Sequence, residues 1–282
     1  MIRAYLEKAL LVILKALGFA FFTVVVVFPF YWLFLTSVQP MTELITLPPT
    51  FWVPISEMNF SFYPQLLFEL GFIRYMRNSA VIATITVLFT LILATMGAYA
   101  VTRLRFKGKQ LMSRGILLVY MFPAIVLVVP LFVMFSWLGL RDAYLGLIIV
   151  YVAQTTPVGL YMLKSYFETL PVDLEEAALI DGCSRWSVIW RVTIPLSLPS
   201  MATVALYTFM IAWNEFLFAF IFLDTPSKFT LSRGVVQLSE SIQSGQQFLA
   251  AAAVIVTVPI ITMFFLFQRY LVKGLTAGGV KG

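Results

Sequence analysis

The chain has 282 residues, 61% of them hydrophobic and 11% charged, and a formal net charge of +6. A soluble domain carries about 25% charged residues, so this composition excludes an ordinary water-soluble protein and points to an integral membrane protein. There is no histidine and one cysteine, Cys183, which excludes histidine-based catalysis, proton relays, an intrachain disulfide and the usual zinc sites.

Arg3, Lys8 and Lys15 lead into a charge-free run from Ala16 to Leu35. A secretory signal has an apolar core of about 7–15 residues and ends at a small-residue cleavage site. This run is longer and closes on Tyr31-Trp32, so it reads as an uncleaved first membrane helix. Further charge-free runs cover Ser79–Thr102, Gly115–Leu140, Ala143–Leu163, Val192–Asn214 and Ser241–Gln268. Each reaches the roughly 20 residues that a helix needs to cross the hydrocarbon. The expectation is an all-α integral membrane protein of six spans, with 1–282 as a single domain and the fifth span continuing through Glu215 to Leu223.

Orientation follows from lysine and arginine. If both ends lie inside, 14 of the 19 basic residues fall on inner segments, including Arg103, Arg105, Lys107 and Lys109, and five on outer ones. The bias predicts cytoplasmic termini. The basic run from Arg103 to Lys109 reads as a topology and lipid-headgroup anchor, not a nucleic-acid patch. Residues 39–72 form the longest outer segment, rich in proline and aromatics, and suit either an interfacial lid or a docking surface.

Pro29, Pro123, Pro130, Pro157 and Pro259 fall inside the spans as expected breakers. Two polar clusters lie near the membrane interior. Gln154-Thr155-Thr156 precedes Pro157, and Trp213-Asn214-Glu215 ends the fifth run. An acidic residue at a helix centre costs about 2.5–3.5 kcal/mol on insertion scales, so Glu215 must face the bundle or a wet path. Gln154, Thr155, Asn214 and Glu215 are candidates for a translocation path, with structural hydrogen bonding between helices as the competing reading.

One polar loop stands between apolar segments, at 173–194. Asp173 can cap a first helix, with Glu176 completing a capping box. Leu174, Ala177, Ala178 and Asp181 share a face at helical spacing, and the two alanines allow close approach of another surface. Gly182 can end the helix in the left-handed conformation. Ser184 can cap a second helix with Trp186, Ile189, Trp190 and Thr193 on one stripe, and Pro195 and Pro199 mark a change of direction. A capped connecting loop without a partner is the plainer alternative.

The spacing of Glu176-Ala177-Ala178, of Gly182 six residues on and of Pro195 thirteen further resembles the EAA loop of ABC importer permeases. Val192 and Ile194 depart conservatively from the isoleucine and leucine preferred before the proline, and Cys183 stands where a small residue is common. Arg77-Asn78-Ser79, Ala98-Tyr99-Ala100, Arg103 to Gly108, Trp213 to Phe216 and the ending Gly274 to Gly282 extend the likeness to the carbohydrate-type permeases, close to the maltose type. The resemblance implies the type I permease fold, six helices with cytoplasmic coupling helices. It implies an ATPase-coupling surface at Glu176, Ala177, Ala178, Asp181, Gly182 and Pro195. It further implies a second homologous permease, two ATP-binding subunits, an extracytoplasmic solute-binding protein and a prokaryotic cytoplasmic membrane. The solute would be a sugar or a related polyol or glycerol phosphate. No G-x-x-x-x-G-K-[ST] phosphate loop occurs, so ATP would be hydrolysed by the partners, and neither a cofactor nor a catalytic residue is expected here. A secondary transporter and a non-transporting scaffold are the other classes. The first needs intramembrane coupling groups, for which Glu215 is the one acidic candidate.

Overall fold

The computed structural model describes residues 2–40, 50–240 and 245–277. The ending Gly278 to Gly282 and residues 41–49, part of the segment expected to lie outside, are not among the described residues. The described chain is built of helices. It divides into two compact units, 1–71 with 235–258 and 72–234 with 259–282.

The first unit begins with α1 (Ile2–Val38), a helix of 37 residues that keeps Pro29 inside it. Residues 10–30 are strongly apolar and none of them is buried. Among its described side chains, those buried in α1 lie at its C-terminal end. Leu35 and Val38 are buried there, as are Val53 and Leu66 of the segment that follows. Polar contacts tie the two together. The Ser37 and Tyr63 hydroxyls are 2.7 Å apart, Gln39 Nε2 donates to Thr50 Oγ1 at 2.7 Å, and the Tyr31 hydroxyl donates to the Phe51 carbonyl. A single-turn α2 (Phe62–Pro64) follows, and Phe62 meets Phe248 edge-on at 5.1 Å. The described part of residues 39–72 therefore folds back onto its own helix.

The second unit contains α3 (Phe72–Arg103), α4 (Lys109–Tyr120), α5 (Ala124–Trp137), α6 (Tyr144–Phe167), α7 (Val172–Ile180), α8 (Arg185–Val188), α9 (Ile194–Asn214) and α10 (Leu217–Phe222). α11 (Leu231–Glu240) and α12 (Gln246–Ala277) complete the chain. The core lies where α3, α6 and α9 meet. Ala94, Ala98 and Tyr99 pack there with Leu160, Leu163, Phe167, Ile189 and Val204. Small residues let these helices approach. A Cβ on Gly159 would sit 3.0 Å from Val204 Cγ1 and 3.4 Å from Ala94 Cβ, so a side chain there would press on its neighbours from α3 and α9. The Thr90 and Thr155 hydroxyls, 2.8 Å apart, join α3 to α6 without leaving a polar atom unpaired.

Among the described residues, five helical segments are long and apolar enough to cross a membrane: Leu10–Val38, Phe72–Arg103, Tyr144–Phe167, Arg185–Asn214 and Gln246–Tyr270. The expected run Gly115–Leu140 differs, being split into α4 and α5 around Pro123. Proline lacks an N–H and disfavours helical geometry in the residue before it, so the helix stops at Tyr120 and restarts after Pro123. Pro123 is alone among the expected breakers in this. Pro29, Pro130, Pro157 and Pro259 all remain inside helices. The fifth span also differs from its expected course. α9 ends at Asn214, Glu215 is extended, and α10 starts afresh at Leu217.

Candidate functional site

The polar loop is two short helices joined by a tight turn. α7 begins at Val172 with Pro171 at its N-cap and no side-chain cap. The expected capping box at Asp173 is therefore not formed. Asp173 and Glu175 instead occupy the first turn, where a carboxylate suits the positive end of the helix dipole. Gly182 has φ of +87° and ends α7 as expected. The Gly182 N–H donates to the Leu179 carbonyl at 3.1 Å and the Cys183 N–H to the Ala178 carbonyl at 3.0 Å. These two bonds form the Schellman arrangement, which satisfies carbonyls that a helix end leaves open. Ser184 then caps α8, its Oγ accepting from the Ser187 N–H at 3.2 Å.

Beyond α8 the chain passes through a π-helical turn, Ile189–Thr193, directly into α9. Pro195 and Pro199 do not turn the chain aside, as the sequence had suggested. Pro195 sits in the first turn of α9, where a missing N–H is tolerated, and the wider turn before it accommodates the ring. The expected stripe on this helix divides in two. Ile189 and Thr193 are buried, whereas Trp186 and Trp190 are each 55% exposed and meet edge-on at 6.3 Å.

Of the candidate coupling residues, Glu176, Ala177, Asp181, Gly182 and Pro195 are exposed and Ala178 is half-buried. With Ile180, 86% exposed, and the two tryptophans, they leave the loop with a sizeable apolar surface. The residue that faces inward is Glu175, the one buried residue of α7. Its Oε1 accepts from Arg103 Nε at 3.1 Å and from Thr193 Oγ1 at 3.2 Å. Arg103 Nη2 also donates to the carbonyls of Phe167, at 2.9 Å, and Leu170, at 3.2 Å. Arg103 is thus not a headgroup anchor. It closes the open end of α6 and holds α7 in place. Sequence reasoning passed over Glu175 because its neighbour Glu176 carried the recognisable spacing.

The second polar site gathers around Glu215. Its carboxylate accepts from the Tyr151 hydroxyl at 2.6 Å and from the N–H groups of Phe218 and Ala219 at 2.9 and 3.2 Å. Glu215 thereby caps α10 and fastens it to α6. Thr155 joins the same chain of bonds, donating to the Tyr151 carbonyl at 2.7 Å. The remaining two candidates stand apart. Asn214 is exposed and its amide donates back to the Met210 carbonyl at 2.8 Å, within α9. Gln154 lines a cavity of about 550 Å³ that also takes in Tyr120, Pro157 and Tyr207. Tyr151 could have been suspected from its place one turn before Thr155, but its contact with Glu215 spans 64 residues.

A third cluster, unforeseen in the sequence, closes the loop between α5 and α6. Asp142 has φ of +52°, which aspartate tolerates better than most residues. Its carboxylate accepts from the N–H groups of Asp224 and Thr225, the Thr225 hydroxyl and Lys228 Nζ at 3.0, 3.1, 2.6 and 2.7 Å. Partial burial works to raise this carboxyl, but the bonds from Lys228 and Thr225 outweigh it and hold it well below the usual carboxylate range. Arg141 pairs with Asp224 beside it, at 2.8 Å.

Residues 87–277 match the family model of the binding-protein-dependent transport system inner membrane component. The chain is 40% identical to the inner membrane ABC transporter permease protein YcjP of Escherichia coli K12, over 94% of this chain and 95% of that one. It is 38% identical to the trehalose/maltose transport system permease protein MalG of Thermococcus litoralis, over 98% and 99% of the two chains. A chain in the crystal structure of a bacterial ABC transporter involved in the import of the acidic polysaccharide alginate superposes with a TM-score of 0.81 at 24% identity. That match covers 94% of this chain and 97% of the other, and it shows a common fold. The chain belongs to the family of binding-protein-dependent transport inner membrane components, and is an integral membrane permease subunit of an ABC transporter, not an enzyme.

Proposed function

We propose that this permease is half of the membrane pathway of an importer for a sugar, or for a related polyol or glycerol phosphate. A second homologous permease, two ATP-binding subunits and an extracytoplasmic solute-binding protein complete the assembly. The chain crosses the prokaryotic cytoplasmic membrane six times with both ends inside, α4 and α5 together making the third crossing. The loop 173–194 docks on an ATP-binding subunit, with Glu176, Ala177, Ala178, Asp181, Gly182 and Pro195 in or beside the contact. Closure of the ATPase pair on ATP then rocks the membrane halves between inward- and outward-facing states. The path side is assigned to Gln154, Thr155, Asn214 and Glu215, with Gln154 at the cavity and Thr155 and Glu215 holding the wall behind it.

The observation that carries this reading is the apolar surface of the loop. Ile180, Trp186 and Trp190 are largely exposed on a segment that is otherwise well ordered by its turn and caps. Exposed aromatics of this kind mark protein contacts. The carbohydrate class rests on the names of the relatives, and the inner orientation rests on the placement of lysine and arginine.

Trp186→Glu should abolish co-purification of the ATP-binding subunit while the permease still inserts. Retained association would sink the docking assignment. A membrane-impermeant thiol reagent should label Cys183 in inside-out vesicles and not in intact spheroplasts. Labelling from the outer side would overturn the topology. Uptake of candidate sugars into proteoliposomes should require ATP. Uptake on a proton gradient alone would show a secondary transporter instead.

A further inference from the structure

α7 is nine residues long, and its one buried side chain is a carboxylate. An amphipathic helix normally seats itself by an apolar stripe, yet α7 leaves Val172, Leu174 and Ile180 exposed. What secures it to the bundle is the ion pair of Glu175 with Arg103, whose side chains are 6% and 9% exposed. Arginine offers five N–H donors in a rigid planar fork. Here the fork reaches α7 with one edge, and with another the carbonyl of Phe167 at the end of α6 and that of Leu170 in the connection that follows, all from the last residue of α3. Thr193 binds the same carboxylate oxygen from the π-turn leading into α9.

We propose that Arg103 is the positioning residue through which the loop 173–194 drives the membrane helices. The guanidinium makes the ends of α3 and α6, the helix α7 and the start of α9 move as one body. A buried pair does this where an exposed one would not, because water is not at hand to replace either partner when the loop is pushed. The proposal rests on the reading of 173–194 as the ATPase-docking loop.

The test uses the whole importer in proteoliposomes and measures uptake and ATP hydrolysis together. In Arg103→Met/Glu175→Met both charges go and apolar side chains of similar length remain. Assembly and ATP hydrolysis should persist, and solute taken up per ATP should fall about ten-fold. Arg103→Lys keeps the charge but not the fork. It should restore part of that ratio without reaching the wild-type value. A wild-type ratio in the double variant would overturn the proposal, since the pair would then be a brace and nothing more. If the double variant fails to assemble, Arg103→Lys decides: a lowered ratio in an assembled complex supports the proposal and a wild-type ratio overturns it. Trp186→Glu leaves the pair intact and tests docking separately, so failure of the docking reading is distinguishable from failure of this one.

Discussion

The second unit is fastened at two loops by charged clusters, and the two are built on opposite terms. At α7 the pair of Arg103 and Glu175 is almost wholly buried, and the guanidinium also donates to carbonyls at the end of α6 and in the connection after it. At the α5–α6 loop, Arg141 and Asp224 are each about half exposed, and only Asp142 beside them is drawn inward. Exposed pairs are screened and contribute little, whereas a buried pair punishes the loss of either member alone. The comparison teaches that the α7 end is sensitive to unbalanced changes and the α10 end is tolerant. Motion imposed on the first should reach the helices, and motion imposed on the second should be absorbed.

The largest effect should come from Glu175→Leu, which strands Arg103 without its partner. It should cost about 3–5 kcal/mol, seen as a lowered melting midpoint of the detergent-solubilised protein. Recovery of most of that loss in the Arg103→Met/Glu175→Leu double variant would sharpen the comparison. An unchanged midpoint in the single variant would break it.

Asp142→Asn should come next, at about 1–2 kcal/mol, since hydrogen bonds to a charged group are lost while the shape is kept. The sign of its pH dependence is defined. A carboxyl held below its unfolded value of about 3.9 contributes fully above that pH, and the contribution is lost as pH falls through the lower folded value. Melting followed from pH 6 to pH 3 should show an acid-sensitive component in the wild type that Asp142→Asn lacks.

Glu215→Gln should be smaller, about 1 kcal/mol, of the order of a lost helix cap. The carboxylate accepts with both oxygens, one facing Phe218 and the other facing Tyr151 and Ala219. Glutamine has one acceptor, so one of these sides is lost. A fall in uptake with unaltered ATPase association and an intact melt would give Glu215 a part in the path beyond its cap. The smallest effect belongs to Arg141→Ala, which should leave the midpoint in place. A clear loss there would erase the contrast between the two ends.

What could be read from the sequence was whatever is decided locally. Gly182 and Ser184 act on residues within five positions, through backbone conformation and a single cap, and both are found as expected. The apolar runs likewise declare themselves by composition. Glu175 and Glu176 are adjacent and chemically alike, and which one turns inward depends on Arg103, 72 residues away. The prolines make the same point. Pro123 and Pro157 are equivalent as residues, but Pro157 is buried in α6, which runs on without a break, while Pro123 is exposed at the boundary between α4 and α5. The Asp142 cluster was hidden for a similar reason, its partners lying 82 to 86 residues away.

The π-turn at Ile189–Thr193 holds a consequence for how the loop could be re-aimed. Such a turn carries one residue more than an α-helical turn of the same bond pattern, and each residue of an α-helix subtends about 100°. Deleting Val192 would let the turn relax to α-helix and swing everything before it around the helix axis by roughly that angle. Trp186 and Trp190 would leave their present heading, and Thr193 would keep its own. The direction in which this loop presents its aromatic face is therefore a matter of chain length at one point. A change of one residue in number would alter it more than most changes of residue type.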